Sequence, residues 1–235
     1  MTPMELYERC SQELGSGNWL EDCHQMLRGA LDIASVTSPR VFCLGLGCPA
    51  SSKDARAQLA FLLRTCDVLS IDRSKVSAYD PVFAAEDVNL LTALGVAYLD
   101  DNKRGRYPIG SPTLLFMPHC DAKLYENILR ENWSRDRLPH LFMLCNLFSE
   151  YLDSTPSRQL AARFPCLTRL APYLVVRALP SGSPFPTAFT STAVQFVTPQ
   201  ALPVDSDRAF WDLPPAAAND DAAGHEGGPR QGCLL

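Results

Sequence analysis

The sequence predicts an α/β domain built on a mostly parallel sheet in three layers, with an N-terminal helical cover and a disordered C-terminal tail. Apolar runs of strand length alternate with segments of helical periodicity, which is the order of a parallel sheet. The first such run leads straight into a glycine turn and a capped helix, as a first β-α unit does. After about Pro203 the composition changes to small, polar, turn-forming residues.

Taken in order, residues 4–34 carry helical periodicity broken at Gly15-Ser16-Gly17. Leu20, Cys23, Leu27, Ala30 and Leu31 share one side of the second segment. Residues 1–38 are expected to pack on the sheet as a cover, and residues 39–202 to form the α/β domain. Val41, Phe42, Cys43 and Leu44 make a short run suited to a strand buried on both faces. Gly45-Leu46-Gly47-Cys48-Pro49-Ala50 follows at once and fits G-x-G-x-x-G/A. Ser51 is the expected N-cap, with Asp54 three residues on, ahead of a helix marked by Ala55, Leu59, Leu62 and Leu63.

A second strand is expected over 76–79, stopped by Asp80-Pro81, with 68–71 as a competing choice. A helix over 84–94 ends at Gly95, a third strand covers 96–99, and a polar turn follows. Residues 113–117 form a fourth strand closed by Pro118-His119-Cys120-Asp121, and 124–133 a helix. A fifth strand over 141–145 ends at Asn146, with a helix from about Glu150. Runs at 173–179 and 192–197 read as further strands, antiparallel at an edge. Residues 203–235 are expected to be a disordered acidic tail.

The totals exclude several classes. The chain has 235 residues, 46% of them hydrophobic, which suits a globular domain. No apolar run approaches the ~18 residues of a membrane helix. The N-terminus carries acids early and lacks an apolar core, so no secretory signal is expected. Cys233 stands third from the end, where a C-a-a-X lipidation signal needs the fourth position. From Val204 on, six acids face Arg208 and Arg230; of the net −5 this leaves −1 for the body, with no basic footprint for nucleic acid. Nine scattered cysteines without a C-x-x-C pair point to a reducing compartment, cytosol or nucleus. The histidines show no metal-ligand spacing, so no metal site is expected.

In an open α/β sheet, ligands bind outside the carboxyl ends of the strands at a topological switch point. The candidate ligand residues are therefore Gly45, Gly47, Ser51, Asp80, His119, Cys120 and Asn146. Two glycines and a helix start can cradle a phosphate or carboxylate. They can also form no more than a tight turn, and Pro49 removes one donor. Asp80 is placed to accept from a ribose hydroxyl or to open an Asp-Pro turn. It lies 33 residues beyond Gly47, where a dinucleotide fold has about 20. His119 is a side chain able to move protons near neutral pH, or a structural hydrogen-bonding group. Cys120 beside it points away along an extended backbone.

Several blocks resemble the sensitivity-to-red-light-reduced (SRR-like) family. They are VFCLGLG with QLAFLL (41–47, 58–63), AYDPVF (78–83), LLTALGV (90–96), TLLFMPHCDAKLYENILRENW (113–133) and NLFSEY (146–151), with a looser match at AFTSTAVQFV (188–197). Cys145 stands where members often have glycine. The resemblance implies a Rossmann-like domain, cytoplasmic or nuclear, with regulatory roles that include circadian-clock output and haem biosynthesis, and no settled enzymatic activity. Its motif residues fall on Gly45, Gly47, Asp80, Pro81, His119, Cys120, Tyr125, Asn127, Asn132, Trp133 and Asn146. Three readings stay open: a regulatory protein holding a small, nucleotide-like, adenosine-containing ligand; an enzyme using an adenosine-containing cofactor, S-adenosylmethionine before NAD; or an interaction module with an empty pocket.

Overall fold

The computed structural model describes residues 1–154 and 156–215. Seven strands form one sheet: β1 (Arg40–Leu44), β2 (Val76–Tyr79), β3 (Ala97–Tyr98), β4 (Thr113–Met117), β5 (Leu141–Asn146), β6 (Val175–Ala178) and β7 (Thr192–Phe196). Their order across the sheet is β3-β2-β1-β4-β5-β7-β6. β7 runs antiparallel to both β5 and β6, and the other pairings are parallel. The fold class is therefore the expected one, and the late edge strands are antiparallel as read. The order turns back between β1 and β4, where β1 pairs with β2 on one side and β4 on the other.

Alternation along the strands divides the core into two. Val41, Cys43, Leu114, Phe116, Phe142 and Leu144 face one way and join α1 (Pro3–Leu14), α2 (Trp19–Ile33), α3 (Lys53–Val68) and α4 (Ala85–Ala93). Leu44, Leu115, Met117, Met143 and Cys145 face the other way. There they meet α5 (Ala122–Glu131), α6 (Phe148–Ser154) and α8 (Pro165–Leu170), with α7 (Ser157–Arg163) leading into α8. The N-terminal helices share the first core: Thr2 and Glu5 form a capping box at α1, and Trp19 Nε1 donates to Pro180 O at 2.7 Å.

Local chemistry moves some boundaries. Ser52, not Ser51, caps α3: its hydroxyl accepts from Ala55 N at 3.3 Å. Asp54 instead accepts from Thr187 Oγ1 at 2.9 Å. Asp121 caps α5 and so starts that helix two residues earlier than its apolar periodicity does. The competing strand at 68–71 is the end of α3 and the turn after it. The packed body also runs beyond Pro203. α9 (Arg208–Trp211) lays Phe210 on Trp133, ring centroids 4.9 Å apart, and edge-on to Tyr173 at 5.3 Å. The rest of the expected tail, 216–235 with His225 and Cys233, lies outside the described residues.

Candidate functional site

The glycine turn leaves β1 at the switch point. Gly45 and Gly47 both take left-handed φ values, +70° and +76°, which glycine adopts without a Cβ penalty. Gly45 also has a neighbour that leaves no room for a side chain: a Cβ there would sit 2.5 Å from Cys120 Sγ. The turn is braced from within. Asp80, 7% exposed at the end of β2, accepts from Gly47 N at 2.7 Å and from Val82 N at 3.0 Å. Asp87 accepts from Ala50 N at 2.8 Å and Ala84 N at 2.9 Å. Arg56 donates to the carbonyls of Pro49 and Ala50, both at 2.9 Å. Gly45 N donates to Tyr79 O.

The loop's N–H groups at Gly45, Gly47 and Ala50 thus already have protein acceptors, two of them carboxylates. A phosphate approaching the N–H groups of Gly47 and Ala50 would meet the carboxylates of Asp80 and Asp87. Asp80 keeps acceptor capacity, since a carboxylate offers about four lone-pair sites and two are used. Its chemistry suits hydroxyls, as on a ribose.

A second knot ties the ends of β4 and β5. His119 holds a left-handed φ of +54°, uncommon for a residue with a side chain. Asn146 Oδ1 accepts from His119 N at 2.7 Å, and Asn146 Nδ2 donates to Tyr151 Oη at 2.9 Å. Tyr151 donates to Cys120 O and Tyr125 to Met117 O, both at 2.7 Å. Gln195 closes the knot from β7, donating to Asn146 O at 2.8 Å and accepting from Phe148 N at 3.1 Å. The His119 ring is turned to Ala188, its Nε2 donating to the carbonyl at 3.0 Å.

The two knots meet at Cys120, whose thiol donates to Leu44 O at 3.3 Å under Gly45. Burial, with smaller contributions from Cys43, Cys145, Asp121 and Asp80, pushes that thiol well above its usual value. A desolvated, protonated thiol is a poor nucleophile. Burial also raises Tyr151, to about 12, so it serves as a hydrogen-bonding hydroxyl and not as a base. Among the described residues no group of His, Cys, Asp and Glu is placed to hold a metal ion, and no helix is long and apolar enough to cross a membrane.

The structure brings Gly45, Gly47, Asp80, Cys120, His119 and Asn146 into this linked arrangement. Ser51 stands apart, exposed, its N–H bonded back to Cys48 O. Asp87, Arg56, Tyr151 and Gln195 were not read from the sequence. Asp87 alone left a trace, an acid at the third position of a helix, where a capping box puts one. Tyr151 and Gln195 act across separations of 31 and 49 residues that only the fold reveals, whereas Arg56 reaches back 6 and 7 residues from inside α3.

Strand order, pairing direction and the switch point between β1 and β4 define an α/β protein of Rossmann-like topology. A family model described as the SRR1 domain matches residues 27–213, and the chain belongs to that family. It is 36% identical over 139 residues to the SRR1-like protein of Mus musculus, covering 59% of this chain and 56% of that protein. It is 29% identical over 183 residues to the SRR1-like protein of Drosophila melanogaster, covering 77% and 64%. With Protein SENSITIVITY TO RED LIGHT REDUCED 1 of Arabidopsis thaliana it is 33% identical over 121 residues, covering 52% and 44%. The matched part thus spans roughly half of the length of these relatives. No solved structure matches.

Proposed function

We propose that this chain is a regulatory protein that binds a small adenosine-containing ligand at the carboxyl ends of β1, β2 and β4, without turning it over. The observation that carries the reading is Asp80: a buried carboxylate at the end of β2, aimed at the glycine turn, with acceptor capacity left for ribose hydroxyls. In this reading Gly45, Gly47, His119, Cys120 and Asn146 surround the ligand beside Asp80, and Ser51, exposed after the turn, stands outside the site. Roles in circadian-clock output and haem biosynthesis, and a place in cytoplasm or nucleus, belong to the same proposal and rest on the family resemblance. The desolvated Cys120 thiol and the absence of a base at hydrogen-bond distance from it, among the described residues, favour binding over covalent chemistry.

A second reading, an enzyme using S-adenosylmethionine, draws on β7. A dinucleotide fold has two mononucleotide-binding halves in the order 3-2-1-4-5-6. Here the reversed β7 interrupts the second half, which suits a ligand with one nucleoside over NAD with two. Native mass spectrometry of the protein purified gently from its own cells tests the primary reading. An adenosine-containing adduct that leaves unmodified on denaturation is expected. An adduct recovered as S-adenosylhomocysteine, the cofactor after its methyl has left for an acceptor, would favour the enzyme, and an apo mass throughout, unchanged by added adenosine, would count against both.

A further inference from the structure

β6 ends the sheet on one side, and its outer edge pairs with no strand among the described residues. Its register on β7 sets which backbone groups stand open. Ala178 lies opposite Ala193, so Leu179 lies opposite Thr192, and Leu179 N donates to Thr192 O at 3.0 Å. Hydrogen-bonded pairs alternate along an antiparallel ladder, so Val175, Arg177 and Leu179 are the residues that bond to β7. The N–H and C=O groups of Val176 and Ala178 therefore point outward, as a template for one more strand. Val176, Arg177 and Ala178 are all exposed.

One face of this edge carries a pocket. A cavity of about 250 Å³ lies between α6 and the start of β6, with Phe148, Leu152, Pro172, Leu174, Val176 and Gln195 in its walls. The Gln195 amide is already engaged with Asn146 O, Cys145 Sγ and Phe148 N, which leaves aliphatic and aromatic side chains to face a guest. Val176 and Gln195 are register partners and both line the cavity, so the same row of side chains in an added strand would continue along it. Side chains alternate across a strand, so the next residue of that strand would fall on the opposite face, beside Arg177. Arg177 has no ion-pair or hydrogen-bond partner among the described residues.

We propose that β6 is a docking edge for an extended segment of another protein, in which an apolar residue enters the cavity and an adjacent acidic residue meets Arg177. Backbone hydrogen bonds would supply affinity and the two side-chain positions specificity. A second copy of this chain fits the edge less well. The antiparallel register that engages all four outward groups sets Arg177 directly against its own copy, and like charges so placed destabilise a pair. Shifting that register one way brings in Pro180, which has no N–H. Shifting it the other way brings in Leu174, whose N–H is already bonded to Ala171 O.

The test is fluorescence anisotropy of labelled peptides with the full chain. The probe is Ser-Thr-Glu-Leu-Glu-Thr-Ser, beside one peptide with lysine for both glutamates and one with serine for the leucine. The probe is expected to bind at least tenfold tighter than either comparator. Arg177→Glu should reverse the preference between the glutamate and lysine peptides. Val176→Pro, which removes an outward N–H and no bond to β7, should lose peptide binding. Hydrogen–deuterium exchange at Val176 and Ala178 should slow when the probe is bound. No binding of the probe, equal binding of the three peptides, an Arg177→Glu variant with the wild-type preference, or a Val176→Pro variant that binds as the wild type does would each overturn the docking edge. A wild-type dimer in sedimentation that Val176→Pro converts to monomer would assign the edge to a second copy, and the proposal of a foreign segment would fall.

Discussion

Gly45 and Gly47 carry similar backbone angles, yet their surroundings set different tolerances. A Cβ on Gly47 would meet only Ala55 Cβ at an ordinary 3.6 Å, whereas one on Gly45 would strike Cys120 Sγ. Gly47→Ala should therefore cost only the left-handed penalty, about 1–2 kcal/mol. Gly45→Ala should add an overpacking cost of about 1–3 kcal/mol. Urea denaturation checks this, and Gly45→Ala/Cys120→Ala should recover part of the loss because the clashing sulfur is gone. Equal losses at the two glycines would mean that Cys120 yields freely. The sequence showed the need for two flexible residues here. It did not show which one lies against a thiol from 75 residues away, because that contact depends on the β1–β4 register.

Elements show the same division. β1, β2, β4 and β5 were legible because each is a continuous apolar run between turn-forming residues, as a strand buried on both faces must be. α7 and α8 were not, since each has seven residues or fewer and they meet at Phe164-Pro165. What holds α8 is Glu126, 2% exposed on α5, accepting from Cys166 N and Leu167 N at 3.0 and 3.1 Å. No local pattern announces that cap. α2 carries a pH-sensitive feature of its own. His24 is buried against Phe61 and its Nε2 has no hydrogen-bond partner among the described residues. Burial lowers its pKa, with Arg28 and Arg64 acting in the same sense and Glu21 against them. The unfolded chain, with a histidine near pKa 6.5, therefore takes up the proton first on acidification. Stability should be intact above about pH 6.5 and fall below it, until the folded site also titrates. His24→Met should flatten the decline in melting temperature between pH 7 and pH 5. An unchanged decline would assign the acid sensitivity to other groups.

At the scale of the molecule, the packed body includes residues that composition alone assigned to a tail. The polar, acidic residues between 204 and 215 mask one aromatic pair, Phe210 and Trp211, and Phe210 is 5% exposed. Arg169 holds that segment, donating to Phe210 O and Asp212 O at 2.8 and 2.9 Å, and Arg130 donates to Pro214 O at 2.8 Å. The family match, reaching residue 213, includes it too. Phe210→Ala should cost about 3–5 kcal/mol, as truncating a buried aromatic does. An unchanged thermal transition would show that α9 is not part of the cooperative body. The candidate site was legible as strand-end positions, since the β-α order alone sends those residues to one edge of the sheet. Its internal wiring was not, because Asp80 and Asp87 turn their carboxylates inward on the glycine turn. That inward turn permits a matched comparison. Asp80→Asn and Asp87→Asn each remove a carboxylate that braces the same loop, and only Asp80 is held to meet the ligand. The deciding measurement is calorimetric titration of adenosine into the wild type and both variants, each confirmed folded by circular dichroism at the titration temperature. The account predicts binding that Asp80→Asn weakens at least tenfold and Asp87→Asn leaves nearly intact; no binding to the wild type, or equal losses in the two variants, would contradict it.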